Sequence, residues 1–222
     1  YFLIFFLLIF SVHWLIRRRK ERHLFLLFAS YLFYMIWNTT LVTLLIFSTL
    51  VDYYAGKKAW VTKNRNWVIL SLITNLSVLG IFKYSNFFID SLIEILQVLG
   101  FNISISSLNI ILPLGISFYT FQSMSYTIDM YRRKYEPYNS IIQFGLYITF
   151  FPQLIAGPIV RADYFKRQLM RKIRLNRHLL NQGLCLFIIG CFKKIVLADQ
   201  ASIFSDAMFS SPTEYTFFLT FI

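Results

Sequence analysis

Charged residues are missing from long blocks of this chain, and the blocks have the length of membrane helices. Tyr1–Ile16 carries no Asp, Glu, Lys or Arg, and neither does Leu24–Val51. Further uncharged apolar runs are Trp67–Phe82, Ile110–Ile128, Ile141–Val160 and Leu179–Phe192. Roughly 20 apolar residues in a helix cross the hydrocarbon core, so the pattern predicts an all-α polytopic membrane protein with the lipid bilayer as solvent. One transmembrane domain is expected over residues 1–222. As a single helix, Leu24–Val51 would be about 42 Å long against a core of about 30 Å. A turn at "WNTT" (Trp37–Thr40) is therefore expected to divide it into two short helices.

Composition supports this picture, and charge orients it. Of 222 residues, 57% are hydrophobic, 19% aromatic and only 14% charged, where soluble domains carry about a quarter charged residues. The net charge of +12 has no aromatic-interleaved basic module beside it, so nucleic acid is not an expected partner. In membrane proteins Lys and Arg gather in cytoplasmic loops. Arg17–Lys20 with Arg22 forms one cluster, and Lys57, Lys58, Lys63 and Arg65 another. From Arg65 the chain is expected to go out through Trp67–Phe82. The stretch "KYSNFFIDSLIEILQVLGFNISISS" then lies along the outer surface, and Ile110–Met130 returns to Arg132, Arg133 and Lys134. A multi-pass protein of a bacterial inner membrane fits this arrangement.

"FFPQLIAGPIVR" (Phe150–Arg161) breaks at Pro152 and again at Gly157-Pro158. If Ile141–Val160 spanned, the basic run Arg161, Lys166, Arg167, Arg171, Lys172, Arg174 and Arg177 would face outside, which positive charge resists. The segment is expected to enter, turn at the prolines and return on the same side; a kinked spanning helix is the alternative. Non-helical backbone at that depth must be buried in protein or line a watery cavity. "RADYFKRQLMRKIRLNR" (Arg161–Arg177) reads as one basic amphipathic surface helix with Phe165, Leu169, Ile173 and Ala162 as its apolar stripe. The orientation of Leu179–Lys194 stays open, because Lys193 and Lys194 sit at its far end.

At 100° per residue, Gly115, Tyr119, Gln122, Ser125, Tyr126, Asp129 and Arg133 share one face of a helix. Ile116, Met124 and Ile128 occupy the opposite face, with Thr120 and Thr127 among them. A polar stripe on a membrane helix points at the protein interior or a water-filled passage. Ser125 and Thr127 read as interhelical hydrogen-bonding residues. Gln122 and Asp129 are candidates for lining a path, with pairing of Asp129 to Arg132 or Arg133 as the alternative. His13 is expected at the interface beside Trp14, and His23 and His178 are expected to be solvated. No histidine pair has metal-ligand spacing, so no metal is expected. Cys185 and Cys191 read as buried small hydrophobes. Motif chemistry alone gives no active site.

"LPLGISFYTFQSMSYTIDMYR" (Leu112–Arg132) followed by "FFPQLIAGPIVR" resembles the membrane-bound O-acyltransferases, most of all their alginate O-acetyltransferase branch. "FASYLFYMIW", "FKYSNFF" and "CFKKIVLADQAS" agree in order. The resemblance implies a multi-helix bundle with a central cavity and re-entrant elements. It also implies transfer of acetyl from a cytosolic thioester, acetyl-CoA or another acyl donor, toward an exported polysaccharide, with an extracytoplasmic acetyltransferase partner and no bound cofactor. Cavity-lining or structural motif residues would be Tyr119, Gln122, Tyr126, Asp129, Pro152, Gln153, Gly157, Pro158 and Arg161. The family's histidine lies in a Trp-His segment downstream of the matched part, and no such pair follows here. No catalytic residue is therefore assigned. The chain, which starts at Tyr1 and stops at Ile222 within apolar runs, is expected to be an inactive N-terminal portion. D-alanyl transfer to teichoic acid, and a transporter or scaffold, are the alternatives.

Overall fold

The computed structural model describes residues 2–99, 112–154, 157–171 and 176–210, and they contain helices but no strand. Residues 1–171 form one compact unit and 172–222 another.

In the first unit, α1 (Phe2–Leu15) is followed by α2 (Arg19–Trp37), which begins inside the Arg17–Lys20 cluster. α2 stops at Asn38, whose Oδ1 accepts from the amides of Thr40 and Leu41 at 2.9 and 3.1 Å. That N-cap starts α3 (Thr39–Thr62) at the expected "WNTT" turn. α3 does not end with the apolar run at Val51; it continues through Asp52, because that carboxylate turns inward and finds donors there. Lys63, at φ 53°, closes α3, and α4 (Asn66–Val98) follows.

α4 corrects the expectation of a separate amphipathic stretch. Its 33 residues form one helix of about 50 Å. "KYSN" contains no proline or glycine to stop it, and the Ser85 hydroxyl donates back to the Ile81 carbonyl at 2.6 Å. Its buried residues, Val68, Ser71, Asn75 and Leu79, all lie in the first half. α3 and α4 are long and apolar enough to cross a membrane. Residues 100–111, with the start of the expected Ile110–Met130 helix, lie outside the described residues.

α5 (Ile116–Tyr131) runs against α3, α4 and α6 and is buried on most sides. Tyr119, Gln122 and Tyr126 are buried on one side, Thr120, Ser123 and Thr127 on another, while Phe118, Phe121 and Ser125 are exposed. A single inward-facing polar stripe is thus too narrow a description: a central helix needs polar partners on both sides.

α6 (Ile141–Thr149) is short, and the chain breaks at Phe150 before α7 (Phe151–Leu154). α8 (Ala162–Met170) then packs back on α6. The returning chain ends up beside its own start. The Tyr138 hydroxyl donates to the Ala162 carbonyl at 2.8 Å, and Lys166 Nζ reaches the carbonyls of Glu136 and Pro137 at 3.0 and 3.1 Å. This is a hairpin. α8 stops at Met170 instead of running to Arg177, since Arg171 is extended; Ile173 lies outside the described residues. Its stripe of Ala162, Phe165 and Leu169 packs into the unit's core, not onto an open surface. Phe165 lies 5.8 Å from the Tyr147 ring and 5.5 Å from that of Phe150.

In the second unit, α9 (Arg177–Phe192) passes through a π-helical stretch, Lys193–Ala198, into α10 (Asp199–Ser210). Lys194 pairs with Asp199 at 2.8 Å. α9 buries no residue, so Cys185 is exposed and Cys191 half-exposed, both free, where burial was expected.

Candidate functional site

An uninterrupted α6 would carry the amide of Phe151 to the carbonyl of Tyr147. The break at Phe150 redirects both groups. The Phe151 amide donates to the Ser30 hydroxyl on α2 at 3.3 Å. The freed Tyr147 carbonyl accepts from Gln122 Nε2 at 2.6 Å and from Gln153 Nε2 at 2.9 Å. The Tyr147 hydroxyl donates to the Val160 carbonyl at 3.1 Å, tying the returning chain to α6. Pro152 occupies the first turn of α7, where a missing amide costs nothing. Gly115 enters α5 at φ 68°, and a Cβ there would collide with the Leu154 carbonyl. A Cβ on Gly157 would come within 2.6 Å of Gln153 Cβ and carbonyl oxygen.

Tyr119, Gln122, Gln153, Gly157 and Pro158 thus gather around one crevice at the hairpin turn, closed too tightly for a water molecule. Tyr126 lies deeper, 4.6 Å from the Phe144 ring, with Gly56 against its edge. The hydroxyls of Tyr34 and Tyr119 are wholly buried without a hydrogen-bond partner, while that of Tyr126 meets the backbone of Tyr138. Asp129 stands apart at the end of α5 and pairs with Lys134 at 2.7 Å, instead of Arg132 or Arg133. Arg161 is exposed at the start of α8, and Pro152 is exposed on the other side of the turn.

Sequence reasoning missed Asp52. The residue is fully buried, and its partners are neutral: Ser71 donates to Oδ1 at 2.5 Å, and Asn75 Nδ2 to both carboxylate oxygens at 2.8 and 3.0 Å. Ser123 also hydrogen-bonds to it, and Ser71 reaches Thr127 at 3.1 Å. The signal was available: Ser71 and Asn75, and Ser123 and Thr127, are each four apart, and each pair shares a helix face. Asp52 directly follows the uncharged run Leu24–Val51, and an ionisable residue inside such a helix demands explanation.

His23 is also buried rather than solvated, and its Nε2 donates to the Leu169 carbonyl of α8 at 3.3 Å. Burial lowers its pKa below the ordinary 6.5; the bond to Leu169 works the other way, and Arg22 and Arg19 add to the lowering.

The sequence is 36% identical over 217 residues to a probable alginate O-acetylase, AlgI, of Pseudomonas syringae pv. tomato, covering 94% of this chain and 41% of that protein. The probable alginate O-acetylase of Pseudomonas aeruginosa matches to the same extent. The chain belongs to the membrane-bound O-acyltransferase family. A further family relative is a peptidoglycan O-acetyltransferase of Helicobacter pylori, 34% identical over 228 residues, or 87% of this chain and 42% of that protein. The chain thus spans about two fifths of the length of the curated family members it matches. No family model matches the sequence, and no solved structure does. Within the family reading, three of the motifs that carry the resemblance meet at the hairpin turn: Ser30 from "FASYLFYMIW", Gly115 and Gln122 from the α5 motif, and Phe151, Gln153, Leu154 and Gly157 from the hairpin.

Proposed function

We propose that this chain is part of a membrane O-acetyltransferase that passes acetyl groups from a cytosolic thioester, acetyl-CoA by preference, toward hydroxyls of an exported polysaccharide. The observation that carries this reading is the likeness to proteins named O-acetyltransferases, strengthened by the meeting of the shared motifs around one turn. In the transfer an acceptor hydroxyl attacks the thioester carbonyl, a C–O bond replaces the C–S bond, and the thiol leaves with a proton. The residues here hold and shape the path. Gln122 and Gln153 fix the turn through the Tyr147 carbonyl, and Tyr119, Gly157 and Pro158 wall the crevice that opens as substrate passes. No residue of this chain is assigned as the acid–base group.

The chain sits in a bacterial inner membrane as a multi-pass protein, with the hairpin re-entering from the cytoplasmic side. Support comes from the contacts of Ala162 and Lys166 with Tyr138 and Pro137, which bring the basic residues before and after the hairpin to one level. An extracytoplasmic acetyltransferase partner helps to deliver the group to the acceptor. The acceptor is alginate or a related glycan; the peptidoglycan relative makes cell-wall sugar the second reading.

The test measures O-acetyl content of surface glycan from cells making the full-length protein. Alanine at Gln122 or Gln153 is expected to lower transfer about 10- to 100-fold, as small misplacements of catalytic geometry do. Full activity in both variants sinks the assignment of these glutamines. No transfer by the unaltered full-length protein sinks the enzymatic reading.

A further inference from the structure

Asp52 is fully buried and has no part in the path described above. An ionisable side chain inside a membrane helix is costly and marks a place with a task. Among the described residues no ion pair reaches it. Its partners come from two other helices: Ser71 and Asn75 on α4, and Ser123 on α5. A second link to α5 runs through Ser71, whose hydroxyl lies 3.1 Å from that of Thr127. One turn further along α3, Gly56 has no room for a Cβ against the Tyr126 ring of α5, so the two helices are in close contact here.

α5 is therefore gripped from two directions. Gln122 reaches the Tyr147 carbonyl of α6 at 2.6 Å, and the next residue, Ser123, reaches Asp52. Consecutive residues point about 100° apart on a helix, so the two bonds together fix the rotation of α5 about its axis. Either bond alone leaves a pivot. With side-chain tips about 5–6 Å from the axis, a rotation of about 15° carries the Gln122 amide about 1.5 Å sideways. That exceeds the whole range of N–H···O lengths, about 2.7–3.2 Å.

We propose that Asp52 is a positioning residue for acetyl transfer, setting the rotation of α5 and through it the place of Gln122 at the hairpin turn. Apolar side chains pack over a range of rotations, whereas a hydrogen-bonded acid accepts few. Buried polar groups fix register in other helix pairs in this way. The inference rests on the acetyltransferase reading and on the role given there to Gln122.

The experiment uses the full-length protein. Ser123→Ala with Thr127→Val cuts both links from α5 to Asp52 and leaves the carboxylate its donors on α4. The expected result is a fall in kcat of about tenfold or more, with KM for the acetyl donor within about twofold. Added to Gln122→Ala, the two changes lower the rate no further than Gln122→Ala alone, because Asp52 acts through that residue. A second readout needs no activity: hydrogen exchange at the Phe151 amide rises about tenfold in the double variant, while mid-helix amides of α2 keep their rates. Ser123→Ala by itself shows the same pattern at smaller size, and keeps the test open if the double variant fails to fold. Losses that multiply with Gln122→Ala, a rate that only tracks the folded fraction, or unchanged exchange at the turn overturns the proposal. So does full activity of Gln122→Ala. No transfer by the unaltered protein fails the acetyltransferase reading instead, and the exchange rates then decide whether Asp52 governs the turn.

Discussion

Gly115 and Asp52 are the residues whose replacement the structure judges most sharply. Alanine at position 115 must hold a left-handed conformation, at about 1–2 kcal/mol, and must also move the Leu154 carbonyl. Gly115→Ala is expected to lower the thermal midpoint and to cost activity beyond that loss, read by comparing folded fraction with transfer rate. Asp52→Leu removes the acceptor that Ser71 and Asn75 share. Ser71 can still donate to Thr127 and one Asn75 amide proton to the Ser71 carbonyl, but the other Asn75 proton is left buried without an acceptor, worth about 1–3 kcal/mol. Asp52→Asn keeps one acceptor and the volume. The leucine variant should therefore unfold at clearly lower temperature than the asparagine variant in detergent; equal midpoints refute the view that this carboxylate joins α3, α4 and α5.

Elements differ in how openly the sequence declares them. The α2–α3 turn was legible because Asn38 carries its own cap. The hairpin was legible because Pro152, Gly157 and Pro158 interrupt an apolar run with like charge on both flanks. The length of α4 was not legible: a change from apolar to amphipathic at Lys83 alters what a helix faces, without removing any of its hydrogen bonds. The interhelical bonding of Thr127 was legible, but the two-sided burial of α5 was not, since only Asp52 shows why Ser123 and Thr127 need an inward face of their own. The hairpin itself makes a prediction. Single cysteines at exposed Glu136 and Arg167, placed before and after the turn, should both react with a membrane-impermeant maleimide from the cytoplasmic side. Labelling from opposite sides means that the segment spans.

Across the whole first unit, His23 links the basic end of α2 to α8 and couples stability to pH. Its pKa is lowered in the folded state, so the unfolded chain takes up its proton first as pH falls. Its contribution is complete above the ordinary value of 6.5 and is lost as pH drops below it toward the folded value. Thermal midpoints at pH 8 and pH 5 should therefore differ more for the unaltered protein than for His23→Gln; identical slopes contradict the buried, neutral ring. The contact of Gly115 with Leu154 has a consequence of another kind. Positions 115 and 154 meet there at a point with no spare volume. Because only the backbone carbonyl of residue 154 makes this contact, the contact itself places no demand on the side chain there, whereas position 115 has no room for one.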